Sequence, residues 1–341
     1  MPFVHREHPE LLRLQALLGG PRRCAIVTHY NPDGDAMGSS LGLAHILRAM
    51  GHTAQVVLPN APPPFLRWMP GADGCIAADT AAERCRAAIA EADIVFCLDF
   101  NRPDRVGVLE EAVRAARQRV LIDHHQRPEI DAVAAFSDTA SCATSQMVVD
   151  LVEALGQARL IGADAATCLY TGIMTDTGSF RFSSTTPHTL RVAALLMERG
   201  AVPDRIHAAV LDDHTEQRMR LMGFMLAERM TVLQDLGCVV LVLRAGDLQR
   251  FGFSAGDTEG FVNLGLSMRG IRLSAFFLER PDRIKISLRS KGTLPVDRLL
   301  ADHFNGGGHV NAAGGHCEGP IDACVQRFMD LLPAHIQAHP A

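Results

Sequence analysis

No apolar run in this chain approaches the roughly 20 residues that cross a bilayer, so no helical membrane span is expected. The opening segment MPFVHREHPELLRLQALLGG has neither the basic start nor the apolar centre of a signal peptide. Pairing signals are missing among the nine cysteines, which are scattered and odd in number, with no Cys-x-x-Cys. That pattern points to reduced thiols and a cytoplasmic protein. Basic residues are not in excess either: 33 Lys and Arg stand against 38 Asp and Glu, a net charge of −5. This argues against a broad basic surface for long nucleic acid, but not against a small anion in a local basic pocket. Internal repeats are absent, and so is low-complexity sequence beyond one short proline run.

What is present suits a folded protein of two domains: 341 residues, 48% hydrophobic and 21% charged. In the first half, short apolar runs alternate with helical patterns. CAIVTH, AQVVLP, ADIVFCLDF, RVLIDHH and VAAFSD read as strands. MGSSLGLAHILRAMG, LEEAVRAARQ, TSQMVVDLVEALG, DAATCLYTGIMTD and PHTLRVAALLMERG read as helices. Continuous apolar strands separated by helices predict an α/β fold with a doubly wound parallel sheet covered on both faces. After Gly200 the texture changes. PDRIHAAVLDDHTEQRMRLMGFMLAERM reads as a helical connector, followed by strands (CVVLVL, RLSAFFLER, DRIKISLRS) and helices of a smaller mixed α/β domain.

Four polar clusters lie at or near the ends of apolar runs in the first half. They are His29, Asp33 and Asp35; Asp99; Asp123, His124 and His125; and Asp176. A doubly wound sheet points the carboxyl ends of its strands into one crevice, so these distant residues converge there. Crowded carboxylates repel and raise one another's pKa unless a cation intervenes. Oxygen-rich ligation with some imidazole and no thiolate suits Mn²⁺ or Mg²⁺ rather than structural zinc. The donors exceed the needs of one ion, and two ions about 3.5–4 Å apart sharing a carboxylate would use them fully. In DGD, residues two apart could serve adjacent ions, with Gly34 permitting a sharp turn. The GSSLG segment either aims backbone N–H groups at the site or simply allows close packing.

The quoted motifs HYNPDGDA, LDFNR, DHH and TDTGSF resemble those of the DHH phosphoesterase superfamily. The C-terminal SLRS and GGGHVNAAGG resemble its DHHA1 domain, so the likeness runs from about His29 to Gly315. Domain pair and length look most like the bacterial nano-RNase and pAp phosphatase branch, the NrnA-type oligoribonucleases. The resemblance implies a DHH catalytic domain over 1–190, a helical linker over 191–230 and a DHHA1 substrate-binding domain over 231–341. It implies two Mn²⁺ per chain, with Mg²⁺ as substitute: His29, Asp33 and Asp99 on one, and Asp35, Asp99, His124 and Asp176 on the other. Asp99 would bridge, His125 would face the substrate phosphate, and Asp123 would orient a neighbouring histidine ring. Arg289 and Ser290, the Gly306, Gly307, Gly308 and His309 run, and more weakly Arg269 would hold substrate. Tyr30 departs from the family pattern, which more often has a small polar residue there, and this alters the pocket wall rather than the ligands. His303 and His316 read as ordinary loop or helix residues, and Trp68 as packing or lid.

The expected activity is Mn-dependent hydrolysis of short RNA oligonucleotides to mononucleotides, and of 3′-phosphoadenosine 5′-phosphate (pAp) to AMP. The expected partners are those substrates and a second copy of the chain in a homodimer, with no long nucleic-acid track and no membrane. The alternatives are a pApA or cyclic di-AMP phosphodiesterase and a non-catalytic nucleotide sensor. The intact ligand set speaks against a sensor. A family-II pyrophosphatase would lack the GGGH motif, and a long-strand exonuclease would need a basic track.

Overall fold

The computed structural model describes residues 7–254 and 256–340. The chain divides into two compact units between Asp213 and His214.

The first unit opens with α1 (Pro9–Leu17), β1 (Arg23–Val27), α2 (Gly34–Ala49), β2 (Thr53–Leu58), β3 (Ile76–Ala77), α3 (Ala78–Ala90) and β4 (Ile94–Leu98). A 3-10 turn (Pro103–Leu109), α4 (Glu110–Ala115), β5 (Arg119–Asp123) and β6 (Ala134–Ser137) follow. Four helices complete it: α5 (Thr144–Ala154), α6 (Ala163–Asp176), α7 (Pro187–Glu198) and α8 (Pro203–Leu211). The six strands form one sheet in the order β3-β2-β1-β4-β5-β6, parallel throughout. Each central strand feeds both faces, as its pleat requires. Cys24 and Ile26 of β1, with Ile94, Phe96 and Leu98 of β4, join the core under α1, α2 and α5–α8. The alternate residues Ala25, Val27, Val95 and Cys97 join the core under α3, α4 and the 3-10 turn. The doubly wound reading is therefore correct, although the two-residue β3 gave no sequence signal.

Helices α2 and α6 pack with almost no side chain between them. A Cβ on Gly38 would stand 2.6 Å from the Cys168 carbonyl oxygen and 2.8 Å from the Gly172 nitrogen. On Gly42 it would stand 2.5 Å from Leu169 Cγ. The GSSLG glycines thus serve close helix–helix packing. Gly38→Ala should push the backbones apart and destabilise the protein by about 1–3 kcal/mol, the usual cost of overpacking. Urea unfolding checks this, and an unchanged midpoint would show that the helices can separate freely.

The second unit contains α9 (Glu216–Glu228), β7 (Met230–Leu233), β8 (Cys238–Leu243), α10 (Ala245–Arg250), α11 (Phe261–Gly265), β9 (Leu273–Glu279) and β10 (Ile284–Ser290). It ends with α12 (Val296–His303), β11 (Gly307–His309), β12 (Ala312–Cys317) and α13 (Ile321–Ala338). Its sheet runs β11-β12-β10-β9-β8-β7, with β8 and β9 parallel and the other pairs antiparallel. One face buries Phe277 and Ile286 against α12 and α13, and the other buries Leu241 and Phe276 against α9–α11. The segment read as one helical connector breaks before Thr215, whose hydroxyl accepts from the Arg218 amide at 3.1 Å and caps α9. Val192, Leu196, Ile206 and Val210 belong to the first unit's core, while Leu221 and Met225 belong to the second's.

Cys317 and Cys324 lie side by side, their Cα atoms 6.6 Å apart and within bridging range. The other seven cysteines are free. NGGGHVNAAGG folds into the β11–β12 hairpin, and a Cβ on Gly306 or Gly308 would meet backbone oxygen of Gly314 or Ala312 within 2.6 Å. Among the described residues no helix is long and apolar enough to cross a membrane.

Candidate metal centre

The strand order brings the polar clusters together. β1, β4 and β5 are neighbours, so His29, Asp99 and Asp123–His125 leave the same edge of the sheet. α6 delivers Asp176 as its last residue. Asp33 is the N-cap of α2, accepting from the amides of Asp35 and Ala36 at 3.0 Å each. Asp35 therefore lies in the first helical turn rather than in a loop. Gly34 is not in a left-handed conformation. Glycine is needed there for space, because a Cβ would stand 2.2 Å from Thr175 Oγ1.

Within this unit three groupings have their donor atoms within 4.8 Å of one another: His29, Asp33 and Asp99; Asp35, His124 and Asp176; and Asp99, Asp123 and His125, of which the first two are the candidate ligand sets. Asp99 stands between them. Its Oδ2 is 3.5 Å from His29 Nε2, and its Oδ1 is 3.5 Å from His124 Nε2. His124 Nε2 also lies 3.5 Å from Asp176 Oδ2 and 3.9 Å from Asp35 Oδ2. His29 Nε2 lies 3.8 Å from Asp33 Oδ1. One carboxylate thus offers an oxygen to each set, as a bridging ligand must. Asp99 also adopts a positive φ of 64°, strain of the kind that collects at functional sites.

Both histidines are fixed by backbone carbonyls. His29 Nδ1 is 2.9 Å from the Tyr30 oxygen, and His124 Nδ1 is 3.2 Å from the Ser141 oxygen. A carbonyl only accepts, so each Nδ1 carries the proton and donates. Each Nε2 is thereby aimed at carboxylates. That arrangement requires positive charge between imidazole and carboxylate, supplied by a second proton or by a cation. With protons alone, burial opposes charging His29, yet Asp33 and Asp99 lift it to about 10. His124, resisted by burial in the same way, is lifted to about 9 by Asp176, Asp99 and Asp35. Burial also disfavours the Asp99 anion, but His29, His125 and His124 hold its carboxyl well below the usual range. Burial and the neighbouring Asp99 and Asp176 charges push Asp35 well up. Such a donor set, preoriented and short of positive charge, fits divalent cations.

Sequence reasoning did not pick out the groups that hold the ligands. The N-terminal amides of α5 clamp Asp35: Thr144 N donates to its Oδ2 at 2.6 Å and Ser145 N to its Oδ1 at 2.8 Å. Thr144 Oγ1 donates to Asp99 Oδ1 at 2.9 Å. The only local hint is the Ser/Thr-rich SCATS ahead of an apolar helix, which reads as a cap. His125 Nδ1 donates to the fully buried Asp123 at 2.7 Å, which orients the ring. In the second unit, Arg289 lies near the end of β10 and donates to the Leu288 oxygen. Arg269 is exposed. The buried Ser290 hydroxyl donates to the Leu294 oxygen at 2.6 Å and accepts from Asn311 at 2.8 Å, locking the hairpin to β10. Gly307 and Gly308 are exposed, while Gly306 and His309 are half-buried.

Residues 23–173 match the DHH family N-terminal domain, and residues 236–337 match the DHHA1 domain. The chain is 36% identical to the bifunctional oligoribonuclease and PAP phosphatase NrnA of Thermus thermophilus, over 90% of this chain and 88% of that protein. It is 28% identical to the Bacillus subtilis protein of the same name, covering 84% and 86%. The cyclic-di-AMP phosphodiesterase PdeA of Listeria monocytogenes is 27% identical over 88% of this chain, but only 45% of that protein is covered. Among solved structures, an exopolyphosphatase-related protein from Bacteroides fragilis superposes with a TM-score of 0.92, at 37% identity and 96% coverage of both chains. RecJ from Thermus thermophilus, solved with Mn²⁺, shares the fold at a TM-score of 0.52 and 15% identity.

Proposed function

The chain belongs to the DHH family, and from that premise we propose that it is a metal-dependent phosphoesterase acting on short RNA oligonucleotides and on pAp. It releases mononucleotides from the former and AMP from the latter. The observation that carries this reading is the position of Asp99, one oxygen toward each of two histidine–carboxylate sets. The names of the Thermus and Bacillus relatives supply the substrates.

His29, Asp33 and Asp99 would hold one Mn²⁺ ion, and Asp35, Asp99, His124 and Asp176 the other. Bound there, the ions supply neutralisation of phosphate charge and activation of water. The protein's own groups do the rest. The amides of Thr144 and Ser145 hold Asp35 in place, and the Tyr30 and Ser141 carbonyls hold the Nδ1 proton of each imidazole, so that Nε2 is the nitrogen presented for ligation. His125, turned by Asp123, contacts the substrate phosphate. Arg289 forks a second phosphate bidentately, with the exposed glycines of β11 beside it in the same unit.

Product analysis with pAp, pApA, short RNA and cyclic di-AMP side by side tests the reading. Rapid turnover of pAp and short RNA is expected, whereas turnover of cyclic di-AMP alone would move the chain to the PdeA-like activity. Length gives a second test. A net charge of −5 provides no extended track, so dinucleotides to pentanucleotides should be cleaved far faster than a 24-mer. Arg289→Ala should raise KM about tenfold or more, with kcat little changed, because it removes a binding contact. The rise should be larger for substrates with a terminal phosphate. A kcat/KM that climbs steadily to 24 nucleotides would favour a processive exonuclease.

A further inference from the structure

We propose that Tyr30 is a stacking platform for the base of the nucleoside adjoining the scissile phosphate. The inference rests on the phosphoesterase reading and extends it from phosphate to base. Tyr30 follows His29 directly and is 54% exposed, and few other aromatic rings are exposed among the described residues. Its backbone is held on both sides. The amide donates to the Arg105 carbonyl at 2.6 Å, and its own carbonyl accepts from His29 Nδ1 at 2.9 Å.

The ring lies over the 3-10 turn that follows β4. A Cβ on Gly107 would stand 3.6 Å from Tyr30 Cδ2, and the adjacent Val108 is 62% exposed. The place matters as much as the exposure. β1 and β4 are adjacent, but α2 after β1 packs into one core and the turn after β4 into the other. This is the topological switch point of the sheet, where open α/β folds bind ligands beyond the strand ends. The two loops that meet there carry His29, Asp33 and Asp99. Tyr30 therefore offers an exposed aromatic face, carried on a backbone held at both its N–H and its carbonyl, beside the loops that bear the candidate ligands. A planar base attached to the phosphate under attack suits that face, and stacking of this kind tolerates any base.

The experiment compares pAp with its baseless analogue, methyl ribofuranoside 3,5-bisphosphate, under Mn²⁺. Wild type should prefer pAp. Tyr30→Ala should raise KM for pAp by about 5- to 150-fold, corresponding to about 1–3 kcal/mol, with kcat within about threefold. KM for the baseless analogue should stay within twofold. Tyr30→Phe, which keeps the ring, should match wild type on both substrates. Neither variant alters the backbone groups that hold His29, and a thermal melt checks the fold. If Tyr30→Ala impairs both substrates equally, the residue only supports His29 and the proposal fails. If Tyr30→Phe is as impaired as Tyr30→Ala, the hydroxyl rather than the ring makes the contact, and stacking is again excluded. If wild type hydrolyses neither compound, the phosphoesterase reading itself falls and this inference falls with it.

Discussion

Asp99→Asn is expected to lower kcat by well over about 100-fold, beyond the 10–100-fold typical of losing an outer partner of a metal ligand, while leaving the fold intact. The choice of asparagine matters. Asp99 has φ 64°, a conformation that Asn tolerates and most other residues do not. Asn also keeps an oxygen for Thr144 Oγ1. What the change removes is the negative charge that faces His29 Nε2 on one side and His124 Nε2 on the other. In chelated protein that loss relieves repulsion on Asp35 and Asp176, whose carboxyls are pushed up first by burial and then in part by Asp99. It also removes a partner that favours charge on both imidazoles. Metal binding gives the clearer signal. Mn²⁺ should raise the Tm of wild type, since a ligand that binds only the native state stabilises it by mass action. Asp99→Asn should lose most of that rise. Near wild-type kcat with the full Mn²⁺-induced rise in Tm would show that Asp99 is not the bridge.

The legible parts of this protein are those fixed by local pattern. The strand IVFCL is buried along its whole length, so its apolar run told of a strand covered on both faces. Most ligand candidates were visible because they follow such a run, and the switch-point rule then placed them together, whereas Asp176 ends helix α6. Contacts made only in three dimensions were not legible. The amides that clamp Asp35 come from residues 109 and 110 positions away. The strained backbone of Asp99 leaves no trace in LDFNR. The glycine run carries a demand that the sequence did not show: a Cβ on Gly306 or Gly308 would collide with neighbouring backbone inside the hairpin, a requirement separate from any phosphate the run holds.

Removal of divalent cations should abolish turnover, and Mn²⁺ should restore it, with Mg²⁺ restoring less. The donors require this order of preference. Imidazole nitrogens sit beside carboxylates, a mixture that suits Mn²⁺ better than the all-oxygen shell Mg²⁺ favours. Reloaded protein should hold two ions per chain by elemental analysis, because the two candidate ligand sets are separate residues joined only by Asp99, which turns one oxygen toward each. Loading should also release protons. A ligating imidazole must give up its Nε2 proton, and in the metal-free site the carboxylates hold that proton on His29 up to about 10 and on His124 up to about 9. Below those values each entering ion displaces a proton, so apparent affinity rises with pH, about tenfold per unit for each proton released. Above them the dependence flattens. Calorimetric Mn²⁺ titrations at pH 7 and 8, in buffers of different ionisation enthalpy, count those protons directly. Binding without proton release at pH 7 would mean that the imidazoles are already neutral and the site is not organised by the carboxylates around them. Full activity after exhaustive chelation, with no ion detected, would sink the metal reading altogether.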